Sequence, residues 1–222
     1  MKHLFSFTIL FIGILLASSC KKTQESTDWT PVLKGTAWAG EFNYVTGSAT
    51  DLQPCSLVLN SDGSFNWYEV INPQKGTWKV EGNQLALTFG TNIFTADIAA
   101  GRLTHFSSAT NLSVQVKDLS ATVLPTEESL KSTKGLKWTG SYLAGTTMSI
   151  DFDLNKKMLF RKTGEASVAC TYTIEGAGVR FSRSSAGGTL YSYGVIKDST
   201  SMNGRDLNIN TAQLYGWKAQ QQ

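Results

Sequence analysis

The sequence predicts an all-β protein: two tandem antiparallel β-barrels, or flattened barrels, after a signal peptide. Three observations carry that expectation. The motif Lys34-Gly35-Thr36-Ala37-Trp38-Ala39-Gly40-Glu41-Phe42 returns as Lys134-Gly135-Leu136-Lys137-Trp138-Thr139-Gly140-Ser141-Tyr142, so Lys-Gly-x-x-Trp-x-Gly-x-aromatic occurs twice with its Trp residues 100 positions apart. Each copy is followed by short segments alternating apolar and polar residues, separated by Gly-, Asn- and Asp-rich turns. The first half contains no convincing helical periodicity.

Composition agrees. The chain has 222 residues, enough for one or two domains. It carries 20 Lys and Arg against 17 Asp and Glu; removing residues 1–19 takes away Lys2 and no acid, which leaves a net charge of +2. Such scattered, nearly balanced charge argues against a nucleic-acid surface. Low charge with abundant Gly, Ser, Thr and aromatics suits a secreted β-protein. Of the two His, His3 belongs to the leader, so His105 alone remains. That weakens hydrolase and metal-site expectations, which usually draw on imidazole.

The N-terminus has the parts of a secretory leader. Lys2 and His3 precede the apolar run Leu4 to Leu16, which is too short to span a bilayer as a stable helix. Ala17-Ser18-Ser19-Cys20 follows, small residues ending in Cys. Over about the first 20 residues this resembles a bacterial lipobox. It departs from the usual pattern in Ala17, where Leu is commonest, and in Ser19. The resemblance implies cleavage before Cys20 and acylation of that residue by a diacylglycerol and an N-acyl chain such as palmitate. It places the protein in the cell envelope of a Gram-negative bacterium, at the outer membrane, with the leaflet open. An ordinary secretory signal with an incidental Cys is the alternative. Each buried CH₂ is worth about 0.8 kcal/mol, so several chains on one Cys hold a protein stably at a membrane. Lys21 to Asp28 then forms a polar tether.

In the first half, alternation places Trp38, Gly40, Phe42 and Tyr44 on one strand face. Cys55, Leu57 and Leu59 share the next. Asn60-Ser61-Asp62-Gly63 is a hairpin turn, with Asp-Gly supplying positive φ. The return strand, Ser64 to Ile71, groups Phe65, Trp67 and Ile71. Trp78 and Val80 face Leu85, Leu87 and Phe89 across the Glu81-Gly82-Asn83 turn. Phe94, Ala96 and Ile98 point inward on the next segment, Leu103 to Ser107 follows, and Leu112, Val114 and Val116 close the set. Seven or eight such segments form a barrel or sandwich.

A connector without strand alternation follows, with one turn of helix expected after Pro125. In the second half, Met148, Ile150, Phe152 and Leu154 alternate with polar residues. Val168, Cys170, Tyr172 and Ile174 share a face, Glu175-Gly176 matches Glu81-Gly82, and Val179 and Phe181 follow. Tyr191, Tyr193 and Val195 are expected inward, as Phe94, Ala96 and Ile98 are. Ser199 to Asn210 is looser and turn-rich, and Leu214 to Lys218 supplies a closing strand with Tyr215 and Trp217. A tandem duplication accounts for these correspondences.

Gly-x-x-Trp-x-Gly-x-aromatic, then Asp-Gly-x-Phe, then Gly-Thr-Trp-x-Val-x-Gly-Asn-x-Leu-x-Leu is similar to the lipocalin-like domains of Gram-negative lipoproteins. Those are small antiparallel barrels, mostly without assigned activity. Gly35 to about Leu119 carries the full pattern. The second half keeps Trp138, Gly140, Tyr142, Thr171, Tyr172 and Gly176 but lacks the Asp-Gly hairpin. Lipocalins proper have Gly-x-Trp, so a deep ligand cup is not implied. The organisation expected is residues 1–19 signal peptide, 20–32 tether, 33–119 first β-domain, 120–132 linker and 133–222 second β-domain.

No catalytic constellation is expected. Asp151 and Asp153 share a strand face opposite Ile150, Phe152 and Leu154, the face that meets water. His105 lies on the Leu103 face, expected as a half-buried, satisfied imidazole. Cys55 and Cys170 fall in different halves and are expected as buried free thiols; a disulfide between them would instead indicate one closed unit. Asp198-Ser199-Thr200 resembles a short bacterial O-glycosylation signal, too brief to be specific. Trp38, Phe42, Phe65, Trp67, Trp78, Trp138, Tyr142, Tyr191 and Tyr193 are the candidate ligand-binding residues. Their competing role is core packing, because a barrel of about 85 residues is filled by its own side chains. The functional expectation is a non-enzymatic, lipid-anchored envelope protein without cofactor or metal. It would bind a small apolar or carbohydrate ligand or, in the alternative, act through an envelope protein partner with both barrels filled.

Overall fold

The computed structural model describes residues 27–44, 52–108, 110, 114–131 and 138–222. The leader, Cys20 and most of the tether lie outside these, as do Lys134 to Lys137 of the second motif. The first half runs α1 (Thr30–Leu33), β1 (Thr36–Tyr44), β2 (Gln53–Leu59), β3 (Ser64–Tyr68), β4 (Gln74–Glu81), β5 (Gln84–Phe89), β6 (Asn92–Ala99), β7 (Arg102–Ser108), β8 (Val114–Val116) and β9 (Leu119–Thr122). The second runs α2 (Glu127–Leu130), β10 (Trp138–Tyr142), β11 (Thr147–Phe152), β12 (Lys157–Lys162), β13 (Val168–Glu175), β14 (Gly178–Ser185), β15 (Gly188–Asp198), β16 (Ser201–Asn208) and β17 (Gln213–Gln221).

Both halves are closed eight-stranded antiparallel barrels, as the alternation predicts. In the first, β1 pairs with β2 on one side and with β8 and β9 in succession on the other. The eighth position is thus shared by two short strands. In the second, β10 to β17 pair in order and β10 closes on β17, with Tyr142 opposite Trp217. Strand pairing in the first barrel extends to Thr122, opposite Ala37, so the expected linker boundary at residue 120 falls within a strand.

One end of each barrel is shut in the same way. In α1, Pro31 sits in the first turn, where its missing N–H costs nothing, and Leu33 is driven into the core with 1% exposure. The sequence gives no periodicity over so short a helix, and the boundary expected between tether and first β-domain, at residue 33, falls within it. Helix α2 begins with a capping box at Thr126 and Ser129, as expected after Pro125, and buries Leu130 to the same degree. The paired tryptophans tie these plugs down. Trp38 Nε1 donates to Thr36 Oγ1 at 2.9 Å, whose hydroxyl donates to the Leu33 carbonyl. Trp138 Nε1 donates directly to the Leu130 carbonyl at 3.2 Å.

The barrels pack against each other through a third apolar cluster containing Ala39, Val70, Ala177, Tyr193 and Val195. Ala177 N donates to Ser56 Oγ at 2.8 Å, Arg180 Nη2 to the Glu69 carbonyl at 2.6 Å and Asn203 Nδ2 to Glu41 Oε1 at 3.2 Å. The β13–β14 turn approaches so closely that a Cβ at Gly176 would lie 2.5 Å from Ser56 Oγ. With its φ of +58°, that position requires glycine.

This interface corrects the register expected for β15. Tyr193 and Val195 point out of their own barrel into the seam between the two, and Tyr191 is 41% exposed. The inward residues are Ser192, Gly194 and Ile196. Phe181 pairs with Ser192 and Val179 with Gly194, just as Leu87 pairs with Phe94 and Leu85 with Ala96. The apolar parity was real, but it marked an interface rather than a barrel interior.

Candidate functional site

The two barrels differ at the end opposite the helical plugs. There the second barrel is filled. Trp217, 1% exposed, lies across Gly194 and Gly204, and a Cβ at Gly204 would sit 2.0 Å from its ring. Its Nε1 donates to Asp206 Oδ1 at 2.8 Å. Asp206 also accepts from Ser192 Oγ at 2.8 Å, from Tyr142 Oη at 2.6 Å and from Arg183 Nη2. Four donors therefore meet all the acceptor capacity of one carboxylate. The Arg183 guanidinium also stacks 4.1 Å from the centre of the Phe160 ring.

Four of the positions that match by strand register in the first barrel are apolar, while Ser108, opposite Phe94, stands for Asp206. Phe42 stands for Tyr142, Phe89 for Arg183, Phe94 for Ser192 and Val116 for Trp217. Among the described residues, nothing there reaches across the lumen as Trp217 does. A cavity of about 490 Å³ opens instead, lined by Phe42, Tyr44, Trp67, Phe89, Phe94 and Phe106 among others. Phe65 and Leu87 lie on its wall, and Lys75 and Asn72 stand at its rim. Trp67 meets Phe42 edge-on at 5.6 Å, and Phe89 stacks on Phe94 at 5.6 Å. The volume falls within the range of small-molecule sites. In this the first barrel departs from the alternative in which both barrels are filled by their own side chains.

The opening follows from the strand seam. In the second barrel β16 and β17 pair from Ser201 to Asn208. In the first, β7 pairs with β9 only at Arg102 and Leu103. A bulge between Thr95 and Asp97 then adds a residue to β7, with His105 at φ +52°. The bulge turns His105 outward, its side chain 82% exposed and its Nδ1 3.0 Å from Asp97 Oδ2. It turns Phe106 inward. His105 is therefore not the half-buried imidazole that alternation from Leu103 implied. A second cavity of about 420 Å³ lies where β7 and β8 part, sharing Phe94, Phe106, Val114 and Val116 with the first.

One carboxylate stands in the cavity wall. Glu69 is 1% exposed. Its Oε1 accepts from Tyr44 Oη and Asn72 N, and its Oε2 from Ile71 N, each at 2.8 Å. The expected strand through Ile71 ends at Tyr68, and Ile71 is 44% exposed; Glu69 occupies the inward parity instead.

Among the expected binding residues, Phe42, Phe65 and Trp67 line the cavity. Trp38 and Trp78 are buried in the core of the same barrel, with Trp78 Nε1 donating to the Asn60 carbonyl at 3.0 Å. Trp138 and Tyr142 belong to the filled barrel. Tyr191 and Tyr193 belong to neither interior. Sequence reasoning passed over Glu69, although it shares the parity of Phe65 and Trp67, and it had no means of placing Phe106. Asp151 bonds Arg161 on the outer surface, and Asp153 is exposed. Cys55 and Cys170 are both free, but Cys170 is only half-buried. Asp198 holds the β15–β16 turn; its bonds from Ser201 Oγ at 2.6 Å, from Thr200 N at 2.8 Å and from Thr200 Oγ1 at 2.9 Å hold its carboxyl down at about 2.

No protein-family model and no curated protein matches the sequence. Two solved structures align loosely with the chain. One is a protein of unknown function from the DUF3598 family of Nostoc punctiforme PCC 73102, 12% identical, with 88% of this chain and 98% of that chain covered at a TM-score of 0.30. The other is a candidate outer membrane protein of Bacteroides fragilis NCTC 9343, 11% identical, with 88% and 100% covered at a TM-score of 0.26. Superpositions this loose carry no inference about function.

Two predictions follow from these interiors. Arg183→Met leaves a buried carboxylate without its cation and is expected to cost about 3–5 kcal/mol, whereas Arg183→Met with Asp206→Leu costs less than the sum of the two single changes. Chemical denaturation of the three variants checks this, and additive losses would contradict it. The second concerns pH. Burial pushes the Tyr44, Tyr142 and Tyr193 phenols above the ordinary 10.0, and Glu69 beside Tyr44 and Asp206 beside Tyr142 push further. Burial likewise raises Tyr172 to about 12. Above about pH 10 the unfolded chain releases protons that the folded chain retains, so stability is unaffected below that pH and falls above it. Melting temperature against pH, read with phenolate absorbance, should show these tyrosines ionising only as the fold is lost.

Proposed function

We propose that the protein is a non-enzymatic, lipid-anchored binding module of the bacterial cell envelope, lipocalin-like in form, whose first barrel holds a small, largely apolar ligand. The observation that carries this reading is the cavity of about 490 Å³ in one barrel, at the level where the other is plugged by Trp217 and Asp206. Two duplicated barrels under the same packing constraint would both be filled if filling were the sole demand. An aromatic wall with few polar groups is the usual composition of a small-ligand site. The anchoring half of the proposal rests on the leader and Cys20. In this reading the second barrel is the rigid support on which the first is mounted.

Trp67 reports on the site because its ring forms part of the wall. Titration of the purified mature domain with a naphthyl probe is expected to change its tryptophan fluorescence. Trp67→Ala should weaken binding by about tenfold or more while the melting temperature changes little, since Trp67 is only half-buried. Unaltered probe affinity in that variant would place binding elsewhere. For the anchor, Cys20→Ser is expected to abolish palmitate labelling and move the protein from the membrane to the soluble fraction. Persistent membrane association would remove the lipid from the account.

A further inference from the structure

We infer that the ligand of the first barrel carries a positive charge: an organic ammonium on an apolar or aromatic body, its cation seated against Glu69. This rests on the binding reading above and specifies its chemistry.

The argument begins with the charge balance of the wall. Burying a carboxylate is costly unless a counter-charge or a full set of donors compensates it. In the second barrel Asp206 has both, with Arg183 and four donors in all. In the first, Glu69 has three donors and, among the described residues, no Lys, Arg or His within ion-pair distance. The Arg180 guanidinium meets Glu69 at its backbone carbonyl and pairs with Glu175 at 2.7 Å. Lys75 stands at the exposed rim. Among the described residues Glu69 Oε2 accepts a single bond, from Ile71 N, which leaves capacity for one more donor.

The surrounding surface suits a cation as well. Aromatic faces present negative charge, and a desolvated ammonium within about 6 Å of a ring centre is attracted to them. Tyr44 and Trp67 both meet Phe42 edge-on, at 5.3 and 5.6 Å, beside the Glu69 carboxylate that Tyr44 bonds. An anion would meet both the carboxylate and these faces unfavourably. Glu69 also holds the turn after β3 through Ile71 and Asn72, a role that an amide could fill in part, so the charge itself remains unaccounted for by the fold.

Three probes of one shape and different charge separate the possibilities: naphthylmethylamine, naphthylmethanol and naphthoate, titrated calorimetrically into the mature domain at neutral pH. The ammonium is expected to bind about tenfold or more tightly than the alcohol, and the naphthoate most weakly. Glu69→Gln should bring the amine's affinity down to that of the alcohol, and the melting temperature of the variant shows whether the barrel is intact. If that variant fails to fold, the ranking of the three probes by the native protein decides the matter. Equal binding of amine and alcohol, or preference for the carboxylate, overturns the inference and leaves the binding site standing. Binding of none of the three overturns the site and the inference together.

Discussion

An eight-stranded barrel has room for its own side chains and little more, so the residues of a single interior layer decide whether it is solid or hollow. Both halves of this protein obey that constraint at the helical end, where Leu33 and Leu130 seal the lumen beneath Trp38 and Trp138. They part company at the other end. Trp217, laid over Gly194 and Gly204, spans the lumen of the second barrel and is fixed there by Asp206. The first has Val116 in its place and a β7 that leaves its neighbour after Leu103. Removing one large ring and opening one seam accounts for the cavity without any change of topology.

Polar chemistry is distributed to match. The second barrel buries an arginine, an aspartate, a tyrosine and a serine in one closed network. Such a network is tolerable because every acceptor on Asp206 is used. The first barrel buries Glu69 with donors but, among the described residues, no counter-charge, in a wall that is largely apolar. One barrel is internally complete, and the other has capacity left for something from outside. Their contact through Tyr193, Ala177 and Ser56 holds the hollow barrel against the solid one.

The fold was legible because barrel strands write their geometry into the sequence as alternation. Trp38, Phe42, Leu57, Ile150 and Phe152 all face inward as their parity requires. Parity alone does not say which apolar face is an interior. Tyr193 and Val195 alternate as core residues do, yet their core is the seam between the barrels. Bulges escape the same reasoning: one extra residue at His105 exchanges the orientations of His105 and Phe106, and nothing in Leu103 to Ser108 marks it. The site was half legible. Phe42, Phe65 and Trp67 stood out as aromatics, but Glu69 was passed over because a carboxylate on an apolar parity contradicts the pattern that locates the strand. Helix α1, a single turn, is set by tertiary burial of Leu33 rather than by local periodicity.

The central claim is that one barrel is hollow and its duplicate is solid. A crystal of the mature protein under xenon pressure tests it most directly, since xenon enters apolar cavities without a specific recognition chemistry. The account predicts xenon among Phe42, Trp67, Phe89 and Phe106 and none around Trp217 and Asp206. Xenon in the second barrel, or a first barrel that admits none, would contradict it.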